Sequence, residues 1–407
     1  MDKLHHIIEY FYNMNIIFFE DNRSQFLPLV YTKPLAKIRV GILTIEDKWK
    51  QYFKKHDVSI ITSYITEDYL SKKFPLVEEQ ENIFINARFF PNERLVDFII
   101  DNLIADEAIV FGDSLVASKC TMEQFKSASY YIKDYNESFI SVELKAVTDI
   151  FSKNDISIQQ DFDLITAGRK SAKLSNTNTL IGDNIFIEEG AIVEASVLNS
   201  TSGPIYIGKD AEIMEGCLVR GPLAMSENSV LKMGAKIYGA TTVGKFSKIG
   251  GEVNNCVIQD YSNKGHDGFL GNSVIGEWCN LGADTNTSNL KNNYAEVKLW
   301  SYETGRFAKT GLQFCGLIMG DHSKCGINTM FNTGTVVGVS SNIFGSGFPR
   351  NFVSSFSWGG ASGVTIYKVD KVFEVAEIVM QRRGIELTET DKEIFTAVFE
   401  MTSQYRK

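Results

Sequence analysis

Aliphatic side chains recur at every sixth position through most of the second half of the chain, beginning with Ile181, Ile187 and Val193. The same spacing continues in four further groups: Ile207, Ile213 and Val219; Leu231, Ile237, Val243 and Ile249; Phe269, Ile275 and Leu281; and Met319, Cys325, Phe331, Val337 and Ile343. A period of six fits neither a helix nor an alternating strand, whereas short repeats with an aliphatic residue in register are typical of a β-solenoid. We therefore expect triangular coils whose every sixth residue faces a continuous core.

The first half of the chain has a different pattern. Short apolar runs at residues 15–19 and 108–112 predict buried strands, and amphipathic stretches at 45–53 and 65–74 predict helices. Residues 82–100 predict a strand, a loop containing Pro91 and a helix. Strands that alternate with helices favour an open, mostly parallel sheet.

The end of the chain is predicted to be helical again, over residues 369–382 and 390–405. Gly384 is expected to end the first helix, and Thr390 with Glu393 to form a capping box for the second. A helical tail on a solenoid typically covers the open end of the coil stack. The predicted division is an extension at 1–13 before a second methionine, an α/β domain at 14–165, a polar and basic linker at 166–178, a solenoid at 179–365 and C-terminal helices at 366–407.

The composition of the chain limits which kinds of molecule it can bind. The 407 residues are enough for two or three domains, and a net charge of −9 without a basic stripe argues against nucleic acid. The six cysteines include no CxxC pair, so they indicate neither a zinc site nor a disulfide framework and favour a reduced cytoplasm. Neither a signal peptide nor an apolar run of bilayer length is recognisable, so no membrane partner is expected.

One stretch carries candidate chemistry. His266 stands on a predicted loop among glycines, two residues after Lys264, and is followed by Asn280 and Asn289. A neutral imidazole can accept a proton from an amine that attacks an acyl donor, and lysine and asparagine can hold a phosphate and sugar hydroxyls. The alternatives are a merely exposed or packing histidine and a solenoid that serves only as a spacer.

These residues also carry a family resemblance. The run GHDGFLGNSVIGEWCNLGADTNTSN at 265–289 resembles the acetyltransferase core of the bacterial bifunctional enzyme that acetylates glucosamine 1-phosphate and then uridylylates the product, and GDHSKCGINTMFNTGTVVG at 320–338 resembles its next coils. With IRVGILTIEDKW at 38–49 and NYAEVKLWSYETGRFAKTG at 293–311, the chain resembles a divergent form of that enzyme. The resemblance implies a left-handed parallel β-helix of hexapeptide repeats that assembles as a homotrimer.

The resemblance also implies roles for individual residues. His266 is implied to be the base, Asn280 a ligand of the amino sugar, and Ala283 and Asn289 neighbours of acetyl-CoA. Three departures weaken the implied sugar specificity. Phe269 replaces a tyrosine, Leu290 follows the asparagine in place of a tyrosine, and the arginine expected after Gly221 and Pro222 is absent. Other cations must then meet the phosphate, and the candidates are Lys264, Lys291 and Lys298.

The N-terminal domain resembles a sugar nucleotidyltransferase more faintly. Arg23 and Lys33 are implied to hold the triphosphate of UTP, but the glycines of the family's phosphate loop are missing. Arg88 occupies the position of a metal-binding aspartate, so Mg²⁺ loses a ligand that Asp113 could replace. Alternatively, Asp113 belongs to a turn after a strand.

The sequence thus predicts an α/β nucleotidyltransferase-like domain followed by a left-handed β-helix acetyltransferase and a helical tail. Its expected activity is acetyl-CoA-dependent N-acetylation of glucosamine 1-phosphate, followed by uridylylation to UDP-N-acetylglucosamine if the N-terminal domain is active with UTP and Mg²⁺. Two alternatives stay open: an acyltransferase for another amino sugar or nucleotide sugar, and a trimeric scaffold.

Overall fold

The N-terminal part of the protein is a mixed six-stranded sheet flanked by helices. The computed structural model describes residues 13–406. The strands are β1 (Met14–Phe19), β2 (Ile60–Tyr64), β3 (Asn82–Asn86), β4 (Glu107–Phe111), β5 (Ser114–Cys120) and β6 (Tyr131–Ile132), in the order β2-β1-β3-β5-β4-β6. β1 pairs in parallel with β2 and β3, and β4 with β6, whereas β5 is antiparallel to both neighbours.

Five helices belong to this part: α1 (Ile45–Lys55), α2 (Glu93–Asp101), α3 (Met122–Ser127), α4 (Asp149–Ser152) and α5 (Asn154–Thr166). The predicted strands and the helices at α1 and α2 are confirmed. The helix predicted at 65–74 is wrong, because only a short 3-10 turn forms there, at Asp68–Leu70. Pro75 follows this segment, and the residue before a proline is disfavoured in the α conformation.

The second part is a β-solenoid with three sheets, one for each side of the triangle, and their strands pair in parallel except for the last two strands of the third sheet. The first face contains Thr179–Ile181, Val197–Asn199, Leu218–Arg220, Lys236–Tyr238, Glu252–Asn254 and Phe269–Gly271. The second face contains Ile185–Ile187, Ile205–Ile207, Leu223–Met225, Thr241–Val243, Val257–Ile258, Val274–Ile275, Leu317–Met319, Thr335–Val337 and Phe352–Val353. The third face contains Ile192–Val193, Glu212–Ile213, Val230–Leu231, Lys248–Ile249, Asn263–Lys264, Asn280–Leu281, Lys324–Cys325, Asn342–Ile343, Ser357–Gly360 and Gly363–Ile366.

An excursion interrupts the coils between residues 282 and 316. It contains Asn286–Thr287, which pairs with Met330–Phe331, and a hairpin of Lys298–Ser301 with Arg306–Lys309. Residues 298–309 therefore form a hairpin. Trp300 of this hairpin stacks on Phe352 of the last coils, with ring centroids 4.1 Å apart.

Most of the predicted six-residue positions lie in one buried column of apolar side chains. Two of them were wrong. Ile181 is 42% exposed, and Leu270 rather than Phe269 faces the core, in register with Val253. The error at Phe269 arises because the inward residues Leu270 and Ile275 are five positions apart rather than six.

The second face of the solenoid is covered. Its outward residues Val257, Val274, Ile318 and Val336 belong to the same hydrophobic core as the N-terminal sheet and the C-terminal helices. Across this contact the Thr242 hydroxyl donates a hydrogen bond to the Gly41 carbonyl at 2.9 Å. The solenoid and the α/β domain therefore share one continuous core.

The C-terminal helices are α6 (Val369–Gln381) and α7 (Glu389–Met401). Gly384 follows α6 with a left-handed φ of +69°, which fits its predicted place after the helix end. The predicted capping box is wrong by two residues, because Thr388 and Asp391 form it. Within residues 13–406, every helix is too short or too polar to span a bilayer. The predicted extension at 1–13 falls almost wholly outside the described residues, and the other predicted domain limits stay predictions.

Candidate active site

The loop that carries His266 lies tightly against the coil beneath it. It runs over residues 265–268, from the third-face strand Asn263–Lys264 to the first-face strand Phe269–Gly271. In the underlying coil, Gly251 has a φ of +72°, and a Cβ there would lie 2.8 Å from the Cα of Asp267. Only glycine fits this position. The close approach leaves the His266 side chain on the outside, where it is exposed.

A cavity of about 720 Å³ lies beside His266, between the third face of the solenoid and the end of α6. Its lining contains the predicted residues Asn280 and Ala283 as well as His266. It also contains five cationic residues, which are Lys232, Lys248, Lys324, Arg382 and Arg383. An exposed imidazole, an amide and several cations therefore converge on one open space.

These cations were not predicted from the sequence. Along the outer side of the third face the parallel register stacks Lys248, Asn263, Asn280 and Lys324 in that order. Lys324 donates to the His322 carbonyl at 3.0 Å, and burial lowers the pKa of its ammonium group. The register that stacks these residues follows from the six-residue repeat, so this signal was present in the sequence.

The two arginines come from the helical tail. Arg383 donates to the Phe246 carbonyl at 3.2 Å, which ties the end of α6 to a solenoid corner. Arg382 is exposed at the same cavity. No local pattern links this tail to a coil more than a hundred residues earlier, so sequence reasoning assigned the tail to capping. The tail in fact supplies part of the cavity wall.

Stacked aromatic rings form another part of the wall. Tyr261 lies on Trp278 with ring centroids 4.1 Å apart and an interplanar angle of 3°, and Phe246 lies on Tyr261 at 5.4 Å. All three residues have left-handed backbone conformations at one corner of successive coils, with φ between 58° and 62°. The repeated corner geometry thus places flat apolar surfaces one above another beside the cavity.

Four of the predicted residues do not line this cavity. Asn289 donates to the side-chain oxygen of Asn272 at 2.8 Å, and Lys291 donates to the Glu296 carbonyl at 2.9 Å. Lys298 is exposed on the excursion hairpin. Lys264 is buried, with its Nζ directed at two backbone carbonyls. Their predicted contacts with the acyl donor and the phosphate stay predictions.

A second, smaller cavity of about 290 Å³ lies where the N-terminal domain meets the solenoid and α7. Lys33 is buried there, and its Nζ lies 2.7 Å from Glu277 and 2.8 Å from Asp321. Burial opposes its charge, but the two carboxylates raise the pKa of Lys33 above its ordinary value. Burial and nearby cations, Lys324 first, lower the pKa of His322 in the same cavity well below its usual 6.5. Lys33 is thus a charged member of an interdomain ion pair.

The other charged residues predicted for nucleotide chemistry are also engaged within the protein. Arg23 binds the Glu20 carboxylate and the Val30 carbonyl. Arg88 binds Asp21 and lies 3.2 Å from Glu143. The guanidinium group of Arg88 therefore lies between two carboxylates, where it provides the positive charge itself.

Asp113 is exposed in the turn of the β4–β5 hairpin, next to the paired ends Phe111 and Ser114. Within residues 13–406 no group of three or more histidine, cysteine or acidic side chains is arranged to hold a metal ion. Mg²⁺ is usually bound by one or two carboxylates together with substrate phosphates, so Asp113 as a metal ligand stays a prediction.

Comparison with known proteins agrees with both parts of the architecture. Residues 16–170 match the family described as "Sugar nucleotidyl transferase". The chain is 31% identical over 144 residues to a bifunctional sugar-1-phosphate nucleotidylyltransferase/acetyltransferase of Sulfurisphaera tokodaii, covering 35% of each chain. It is 29% identical over 271 residues to the bifunctional protein GlmU of Methanococcus maripaludis, covering 66% of this chain and 57% of the relative.

A third relative is the bifunctional protein GlmU of Methanocaldococcus jannaschii, which is 36% identical over 87 residues and 21% of each chain. The matches to these three relatives thus span between about a fifth and a little over half of the relatives' own length. The resemblance predicted from the sequence is confirmed: the chain resembles bifunctional proteins that join a sugar nucleotidyltransferase to an acetyltransferase.

Proposed function

We propose that the protein transfers an acetyl group from acetyl-CoA to the amino group of glucosamine 1-phosphate in the cavity beside His266. The observation that carries this proposal is the exposed His266 at a cavity of about 720 Å³ that is also lined by five cations. The names of the relatives, which include a nucleotidylyltransferase/acetyltransferase, support it.

In the proposed reaction the sugar amine attacks the carbonyl carbon of the thioester. The His266 imidazole accepts a proton from the nitrogen as the C–N bond forms. The C–S bond then breaks, and the leaving thiolate takes up a proton, which His266 can return. Backbone N–H groups of the coils would stabilise the charge that develops on the thioester oxygen.

The cations of the cavity fit phosphorylated substrates. Lys232, Lys248 and Arg382 have no ion pair among residues 13–406, so their charges are available to phosphate groups of the sugar or of CoA. We propose that Asn280 binds sugar hydroxyls and that Ala283 adjoins the acyl donor. Asn289, Lys291 and Lys298 would reach the substrates from the excursion, which lies beside the same coils.

The test is release of free thiol from acetyl-CoA in the presence of glucosamine 1-phosphate. His266→Ala is expected to lose about 10²- to 10⁴-fold in kcat, the usual contribution of a general base. His56→Ala, at a half-buried histidine of the N-terminal domain near Asp97, is the control. Unchanged turnover of His266→Ala would remove the proposed base and leave the scaffold alternative.

A panel of acceptors then tests the substrate. Glucosamine 1-phosphate is expected to react faster than unphosphorylated glucosamine, because only the former offers a phosphate to the cavity cations. Preference for a nucleotide-linked amino sugar would instead support the alternative acyltransferase. Sedimentation in solution tests the proposed homotrimer, and fractionation of cells tests the proposed cytoplasmic location.

We also propose a sugar-1-phosphate nucleotidyltransferase activity for the N-terminal domain, supported by the family match over residues 16–170. Arg23 and Lys33 would bind the triphosphate of UTP only after leaving their present carboxylate partners. Release of pyrophosphate from UTP and N-acetylglucosamine 1-phosphate tests this activity. No release in the presence of Mg²⁺ would contradict it.

A further inference from the structure

A lysine occupies one of the inward positions of the solenoid. Lys264 is in register with the inward-facing Ile249 of the coil beneath. Leu270, six positions after Lys264, also faces inward. Lys264 is only 2% exposed, and the neighbouring Ile249 and Leu270 are buried as well. Burying an ammonium group in an apolar column is costly unless hydrogen bonds compensate. A purely structural column would have an aliphatic residue here.

The compensation comes from two backbone carbonyls. Nζ of Lys264 donates to the Gly250 carbonyl at 3.0 Å and to the His266 carbonyl at 2.8 Å. Gly250 belongs to the underlying coil, whereas His266 belongs to the loop above it. One side chain thus joins the loop to the coil from inside the solenoid.

The charged and titratable groups around Lys264 are few. Asp267 and Asp284 favour its charge, and so do the thiols of Cys256 and Cys325. Burial outweighs them and lowers the pKa of Lys264 to about 8. A neutral amine still has two N–H groups, so both carbonyl bonds persist in either protonation state.

Close packing on Gly251 and Thr285 restrains residues 267 and 268 of the loop, and the Lys264 contact restrains the preceding residue, His266. Residues 265 and 268 are glycines, and Gly268 has a φ of +111°. Gly268 accepts a backbone hydrogen bond from Glu252 at 3.2 Å, but the His266 carbonyl is held by the side chain of Lys264. Displacements of about 1 Å in a catalytic group can lower rates roughly 100-fold.

We propose that Lys264 is a positioning residue, which holds the His266 carbonyl from inside the solenoid and so fixes the imidazole at the cavity. This inference rests on the proposed role of His266 as the base. In this proposal Lys264 contacts the protein backbone, and it does not contact the substrate phosphate as the family resemblance implied.

The test compares Lys264→Met with wild type and with Lys209→Met, which changes an exposed lysine of an earlier coil that does not line the cavity. Methionine keeps the length of the side chain and suits an apolar column. Lys264→Met is expected to lower kcat about 10- to 100-fold. The KM for acetyl-CoA is expected to stay within about threefold, and the melting temperature to stay or rise. A merely structural lysine would instead lower activity and melting temperature together.

Hydrogen–deuterium exchange measures the positioning without an activity assay. In Lys264→Met the peptide that covers residues 265–268 is expected to exchange faster, while the other coils keep their wild-type rates. Wild-type exchange in this peptide, or wild-type kcat in Lys264→Met while His266→Ala is inactive, would overturn the inference. Activity retained by His266→Ala would instead refute the proposed function, and faster loop exchange would still identify the contact.

Discussion

The two halves of the molecule use their cations differently. In the N-terminal half, Lys33 lies between Glu277 and Asp321, and Arg88 binds carboxylates of its own domain. Around His266, by contrast, Lys248 and Arg382 face an open cavity. A cation that is already paired inside a protein has little charge to offer a phosphate. The comparison teaches that the position of a basic residue in a motif matters less than whether its charge is already paired.

The N-terminal cations also hold the molecule together. Arg39 lies 3.1 Å from Asp260 of the solenoid, and Lys33 reaches the same face two coils away. The loop that would bind a triphosphate in a nucleotidyltransferase is thus part of the interdomain contact. Binding of UTP by this loop would require these ion pairs to open.

The largest expected effect is on stability, and it tests the difference between the paired and the open cations. Lys33→Met leaves the buried Asp321 and the half-buried Glu277 without their cation, so we expect a loss of about 3–5 kcal/mol in the free energy of unfolding. Lys248→Met, the same substitution at an exposed cation of the cavity, should change stability by less than about 0.5 kcal/mol. Urea unfolding of both variants measures the difference. Equal stabilities would show that the interdomain ion pair contributes little.

The next effect concerns pH. The folded pKa of Lys264 is about 8, below its ordinary value of 10.5. Between these values the unfolded chain binds more protons, so this group makes the free energy of unfolding rise with pH, by roughly 3 kcal/mol at most. Lys264→Met lacks this contribution, so its stability advantage over wild type should shrink as pH rises from 8 to 10.5. If the difference in unfolding free energy between Lys264→Met and wild type stayed constant across this pH range, the lowered pKa of Lys264 would be contradicted.

Most of the solenoid was predictable because each coil repeats the same short pattern. The apolar column and the loop position of His266 follow from spacing alone, and the structure has both. Phe269 was misplaced because the step from Leu270 to Ile275 is five residues instead of six, and no local signal distinguishes Phe269 from Leu270.

The cavity was less predictable, since its parts come from distant segments. The sequence places Lys264 two residues before His266, but only the fold shows that its side chain points into the solenoid. Arg382 and Arg383 reach the cavity because α6 packs on the coils, a tertiary contact that no local pattern encodes. The pairing of Lys33 with Asp321 is of the same kind.

A smaller expected effect, on the KM for the acceptor, tests whether the unpaired cations of the cavity bind its phosphate. Lys248→Met is expected to raise the KM for glucosamine 1-phosphate about 10- to 100-fold, because one charge-assisted contact is worth roughly 1.5–3 kcal/mol. The KM for unphosphorylated glucosamine should stay the same. Steady-state thiol release with the two acceptors measures both values, and an equal rise for both would indicate a general disturbance of the cavity.

The smallest effect tests how the tail is fixed beside the cavity. Thr388→Ala removes the N-cap of α7 and should lower the free energy of unfolding by about 1 kcal/mol. Thr390→Ala, two residues further along, should change it by less than about 0.5 kcal/mol. Thermal unfolding distinguishes them, and the reverse order would restore the capping box predicted from the sequence.

The most direct test of the central claim is a crystal structure of the full chain with CoA and glucosamine 1-phosphate. We expect both ligands in the cavity lined by His266, with the sugar nitrogen within hydrogen-bond reach of the imidazole, about 3 Å, and the CoA sulfur beside that nitrogen. CoA bound elsewhere, with His266 remote from the sulfur and the amine, would contradict the account.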